Sequence, residues 1–330
     1  MADRSQSRPL AVLIIGVSML ITGAAAWWIR STPGPTPVPE SRDGLFPFRD
    51  PTTGRAGYID ADGKIVVPAR FDHTDLFRGG RGMAELDGRA GFLDRNGDWA
   101  VSPRFELDPS FANDVAARPF WGGRAAARMG GAWGFVDAQG SWLIRPRFKG
   151  LDGFQIVGDF HEGLAWFRGR AGVGDGKPPT YGFIDPEGRV VIEPTFRYAN
   201  DFGEGLAAVL VDDEWGFIDT EGRMRLRPDF DGAGMFAQGL CPVLDGEQWG
   251  YIDLRGDWVI AAAFTHALGF SEGLAPVHDG TAWGYLDAQG TMVIRPRFDQ
   301  AYPFDQGRAA VVEDGVAGYI DLDGRTVWPK

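Results

Sequence analysis

"WGYLDAQGTMVIRPRF", residues 283–298, has a near-twin at 133–148, "WGFVDAQGSWLIRPRF". Working outward from the pair, the pattern recurs six more times. "AGYID" stands at 56–60, "AGFLD" at 90–94, "YGFID" at 181–185, "WGFID" at 215–219, "WGYID" at 249–253 and "AGYID" at 317–321. The aspartates that close these segments, Asp60, Asp94, Asp137, Asp185, Asp219, Asp253, Asp287 and Asp321, are spaced by 34, 43, 48, 34, 34, 34 and 34. A fixed period over most of a chain marks a repeat architecture. The twins are units three and seven of eight.

Other positions keep phase. Glycine follows each aspartate by three, and phenylalanine follows by eleven in the first seven units, from Phe71 to Phe298. A second phenylalanine precedes a glycine by three: Phe77, Phe120, Phe160, Phe202, Phe236, Phe270 and Phe304. "EGLAAVL" (204–210) and its relatives begin a short strand. In "WGFID" the side chains alternate, so Trp215, Phe217 and Asp219 face one way and Ile218 the other. D-x-x-G sets Asp first and Gly fourth in a type I turn, and "RMRLRPDF" (223–230) returns as a third strand that proline brings to an end. Each unit is an antiparallel meander of about 34 residues. Alone it cannot bury its aromatic face, so neighbours must stack on the repeated Phe and Trp.

These motifs resemble the bacterial WG-repeat family, named for the Trp-Gly pair present at 133–134, 215–216, 249–250 and 283–284. The resemblance covers residues 44–330 and implies tandem β-repeats; it implies no catalytic residues. Units one, two and eight depart from it with Ala56, Ala90 and Ala317, and unit four with Tyr181. The expected fold is all-β, an open, curved or superhelical array, because no terminal strand completes a partner unit. A closed propeller-like ring is the alternative, in which the three alanines would be neighbours.

Ahead of the repeats, "LAVLIIGVSMLITGAAAWWI" (10–29) carries no charge, and a helix of that length spans a bilayer core of roughly 30 Å. Arg4 and Arg8 in the short flank 1–9, and Trp27, Trp28 and Arg30 beyond, suit the two interfaces. This segment is expected to be a transmembrane signal-anchor; the alternative is a cleaved signal peptide ending at Ala24–Ala26. The proline-rich 30–43 is a spacer. Either way the repeat domain lies outside the cytoplasm, at the cell envelope.

Of the formal charge of −12, residues 1–30 carry +2 from three arginines against one aspartate, leaving −14 on the remainder. An acidic body without a basic run argues against nucleic acid. The single cysteine, Cys241, excludes an internal disulfide and reads as a small packed residue. The four histidines, His73, His161, His266 and His278, have no metal-ligand spacing and read as solvated surface residues. No cofactor, metal or catalytic set is expected.

Three insertions break the period. Phe105 to Gly123 spans 18 residues where later units use 9, Phe148 to Gly163 spans 15, and Gly163 to Asp185 spans 22 instead of 14. All lie within 106–180. Insertions in repeat arrays gather on the binding face, and aromatic and arginine side chains make hot spots. The expected partner-binding residues are therefore Phe111, Phe154, Arg168, Arg170 and Lys177. The partner is expected to be another envelope protein, with a glycan as the alternative; a glycosidase-like enzyme is a third reading.

Overall fold

The computed structural model describes residues 44–50, 52–107, 117–149, 157–169 and 180–328. The apolar stretch 10–29, the spacer, and Phe111, Phe154, Arg170 and Lys177 lie outside them. Among the described residues no helix is long and apolar enough to cross a membrane.

The fold is all-β. Eight small antiparallel sheets follow one another in chain order, and none shares a strand with another. Five have four strands. The repeat is thus one strand longer than the sequence suggested: an additional strand precedes the "EGLA" strand, such as His73–Arg78 in unit two and Tyr198–Gly203 in unit five. In units six to eight it shrinks to two residues, among them Gly232–Ala233. Its short, mixed sequence shows no alternation, so it reads as a loop.

The third strand is buried on both faces. In Glu214–Asp219, Trp215 and Phe217 join the core formed with the following unit, while Ile218 joins the core with the preceding one. The repeated Phe and Trp are therefore the inter-unit core. The invariant glycine beside Trp has a separate cause. A Cβ on Gly216 would lie 2.7 Å from the Leu226 carbonyl oxygen and 2.8 Å from the Pro228 nitrogen. The fourth strand bulges against it, since Trp215 pairs with Phe230 but Phe217 with Leu226. Proline therefore does not end the ladder. It sits inside the bulge, and pairing resumes at Phe230.

Each D-x-x-G turn also serves the next layer. Asp219 Oδ1 accepts the amides of Glu221 (3.1 Å) and Arg223 (2.9 Å), and Gly222 has φ +79°. A Cβ on Gly222 would stand 3.3 Å from Ile192 of the preceding unit.

The array closes. Phe46, Phe48 and Ile59 of the first unit pack with Tyr302, Ala310 and Tyr319 of the last, the Phe46 and Tyr319 rings 5.3 Å apart. The expected open array is corrected to a ring of eight blades, a β-propeller. Among the described residues closure uses side-chain packing and no exchanged strand, so the sequence carries no terminal motif by which to read it. Ala56, Ala90 and Ala317 occupy consecutive blades of that ring.

Two polar clasps lock the seams. At the turn between the first and second strands, Glu162, Glu204, Gln238, Glu272 and Gln306 hold left-handed φ of 50–55°. The side chains of Glu162, Glu204, Gln238 and Glu272 accept the amides of Gly205, Gly239, Gly273 and Gly307 in the next blade, at 2.8–2.9 Å. Across the closing seam, Gln306 Oε1 lies 3.7 Å from the place a Cβ on Gly44 would occupy. Blades two and three have Gly79 and Gly122 at this position. There the second clasp takes over: Arg104 and Arg147 of the outer strands donate to the carbonyls of Gly140 and Gly188 in the next blade's turn, as Arg70 does to Gly97 between blades one and two. The seam between blades seven and eight has both, through Glu272 and Gly307 and through Arg297 and Gly324 (2.7 Å).

Candidate functional site

Strand direction alternates within a blade, so the first–second and third–fourth turns share one face of the ring. The second–third turns and the connections between blades share the opposite face. Of the expected partner-binding residues, Arg168 alone is described. It ends the strand Ala165–Arg168 opposite Tyr181 and is partly exposed. The three insertions nevertheless have defined roots. Two leave at Leu107 and Lys149 and return at Ala117 and Val157, on connections between blades; the third leaves at Gly169 and returns at Thr180, on a second–third connection. All three therefore depart from the same face, in consecutive blades.

The roots are charged and ordered. Arg128 donates to the Leu107 carbonyl at 2.7 Å and stands 3.9 Å from Glu106, which also accepts the Gly131 amide at 3.0 Å. The amides of Gly131 and Gly130 hold the Glu106 carboxyl below its ordinary pKa, with help from Arg128 and Arg89. The Gly169 amide donates to the Thr180 carbonyl at 2.7 Å, pinning the base of the third insertion.

A second polar assembly, unforeseen from the sequence, lies where the first strands of neighbouring blades meet around the axis. Arg118 of blade three and Asp159 of blade four form a buried ion pair at 2.6 Å. Beside it are Asp75 of blade two and Asp201 of blade five, and burial pushes both carboxyls up. Asp201 Oδ1 has no hydrogen-bond partner, and Oδ2 lies 3.9 Å from His161 Nε2. His161 stacks on Trp121 at 4.6 Å, and Arg78 covers the Trp121 ring at 3.9 Å. This arrangement ties together the two seams that lack the glutamate clasp. It also gives one half of the axis a charged lining, whereas blades six to eight place Gly234, Met235, Leu268, Gly269, Tyr302 and Pro303 at the corresponding positions. Each charged residue stands one or two places before an in-phase phenylalanine, in units two to five. That phase was the available signal.

The histidine reading needs correction. His73 is buried opposite Glu85, His161 is half-buried between Trp121 and Asp201, His278 is half-buried and His266 is exposed. Cys241 is fully buried, as a small packed residue should be.

Eight contiguous antiparallel modules of three or four strands, with no shared strand, define a β-propeller of tandem repeats. The family model described as "WG containing repeat" matches residues 57–89, 133–168, 181–215, 215–248, 249–278 and 283–316, more than half of the chain. The protein belongs to the WG-repeat family. Among curated proteins there is no match. Of solved structures, a eukaryotic initiation factor is similar with a TM-score of 0.57 and 11% identity, over 90% of this chain and 87% of that one. Virginiamycin B lyase from Staphylococcus aureus follows with 0.44 and 13%, over 78% and 93%. The first likeness, at 11% identity, is one of fold alone.

Proposed function

We propose that this propeller is a binding module whose ligand is another protein, gripped by the insertions of blades two to four. The observation that carries the reading is their common face: the roots at 107/117, 149/157 and 169/180 all open the same way, while the regular blades have short turns there. Stability does not require such segments, since lengthening a loop costs only about 0.6 kcal/mol per doubling. What they add is surface, with Phe111, Phe154, Arg168, Arg170 and Lys177 as anchors of the kind interfaces use. On this reading the protein acts by binding, not by catalysis. Residues 10–29 would tether it to the membrane with the ring outside the cytoplasm, facing an envelope partner.

The test is to trim each insertion to the length of the corresponding segment in blade six. The trimmed protein should keep its melting temperature and lose partner capture from detergent-solubilised membranes. Undiminished capture would move the site elsewhere. Topology is tested separately: a reporter active only in the cytoplasm, fused after Lys330, should be silent.

A further inference from the structure

His266 and His278 are twelve residues apart in sequence, yet the fold makes them direct cross-strand partners. Their ring centroids are 5.7 Å apart with the planes at 88°. Trp283, the cross-strand partner of His278 on the other side, completes a three-ring group, 5.9 Å from His266 and 5.5 Å from His278. The same row in blade five holds Tyr198, Leu210 and Trp215, and in blade six Gly232, Leu244 and Trp249. Trp215 and Trp249 are 3% and 4% exposed, whereas Trp283 is half-buried. Blade seven thus replaces a packed row with two surface imidazoles and leaves its tryptophan accessible.

We propose that His266 and His278 form a two-imidazole site for a divalent transition-metal ion of the zinc, nickel or copper type. With metal–nitrogen bonds of about 2.0–2.1 Å and a ring centre roughly 1.1 Å beyond, two imidazoles on one tetrahedral ion have centroids roughly 5 Å apart. The observed 5.7 Å is a small side-chain rotation away. Ligation needs neutral imidazoles. His278 Nδ1 is engaged by Thr265 Oγ1 at 2.7 Å and by the Gly280 amide at 3.0 Å, which leaves Nε2 to face the ion. On loading, Nδ1–H donates to Thr265 Oγ1, the outer oxygen that orients a metal-bound imidazole, and the Gly280 amide gives up its acceptor. Asp279 Oδ1 accepts the Thr281 hydroxyl and the amides of Thr281 and Ala282, and its carboxylate adds negative charge beside the site. Among the described residues no group of three His, Cys, Asp or Glu is placed to hold a metal. Water therefore fills the remaining coordination positions, and the site is open to a further ligand. The pair lies on the face from which the insertions depart.

The test uses the full chain without a polyhistidine tag. Calorimetric titration with Zn2+ at pH 7.5 should give saturable one-site binding, and His266→Ala and His278→Ala should each weaken it about tenfold or more. Binding should weaken as pH falls, since ligation displaces protons from ring nitrogens. Cu2+ should quench part of the tryptophan fluorescence, and Trp283→Phe should remove that part while leaving Zn2+ affinity unchanged. All variants are checked for an unaltered melting temperature without metal; His266→Asn serves if the alanine variant is unstable. No saturable binding by the parent, or unchanged affinity in either histidine variant, overturns the proposal.

Discussion

Glu204 and Gly239 belong to neighbouring blades, and the side chain of the first accepts the amide of the second at 2.8 Å from a backbone held at φ +54°. The contact thus stands against left-handed strain, which a non-glycine residue adopts at a cost of about 1 kcal/mol or more. Glu204→Ala keeps the strain and loses the bond, so it should destabilise by about 1 kcal/mol. Glu204→Gly sheds both, as Gly79 and Gly122 do naturally, and should cost less. Urea denaturation of the parent and the two variants checks the order; an alanine variant as stable as the parent would show that the clasp contributes nothing.

Gly216 and Gly222 are needed for different reasons. At Gly216 a Cβ meets the backbone of the outer strand at 2.7 Å, so Gly216→Ala must push that strand away. At Gly222 the obstacle is φ +79°, with Ile192 at 3.3 Å. Gly222→Ala should cost about 1–2 kcal/mol, and Gly216→Ala clearly more. Thermal melts of both decide; the reverse ranking would refute the close-approach account of the W-G motif.

The arginine clasp can be transplanted. Thr195 is exposed and stands where Arg147 stands one blade earlier, and Gly222 is the turn glycine it would reach. Thr195→Arg should add a seam contact and raise stability by about 0.5 kcal/mol, in the range of a single exposed polar interaction. A lowered melting temperature would mean that the seam between blades four and five cannot take the side chain.

Asp201 makes a prediction in pH. Burial raises its carboxyl above the ordinary 3.8, so the folded chain holds that proton more tightly than the unfolded chain. Its contribution to stability is full below the unfolded pKa and is lost as pH rises through the folded one. Asp201→Asn, which cannot ionise, should therefore melt higher than the parent at pH 7.5, and the gap should narrow toward pH 4.5. A variant that melts lower at pH 7.5 would place the favourable pairing with His161 above the burial penalty.

Much of the fold was legible because its main determinants are periodic. The in-phase Phe, Trp, Asp and Gly prescribe strand, turn and stacking face locally, and the Trp215, Phe217 and Ile218 alternation holds in the structure. Closure was not legible, because Phe46 and Tyr319 meet across nearly the whole chain and no motif marks such a contact. The inner strand escaped because it can be as short as Gly232–Ala233. The candidate site divides similarly. The insertions announce themselves as breaks in period, but their common face requires knowing which way each strand runs. His266 and His278 looked unrelated at a spacing of twelve; strand pairing, which sequence distance does not encode, sets them side by side.

Because, among the described residues, each blade is one uninterrupted segment and the last seam is joined by side chains, the ring they form has no topologically privileged start. Ends could be relocated to another seam by circular permutation, with no strand left stranded on the wrong side of the cut. A gene lineage could likewise add or delete a whole 34-residue module and need only re-form side-chain contacts at two seams. A propeller closed by an exchanged strand would have to preserve its first and last strands as a matched pair through every such event; this one is free of that obligation.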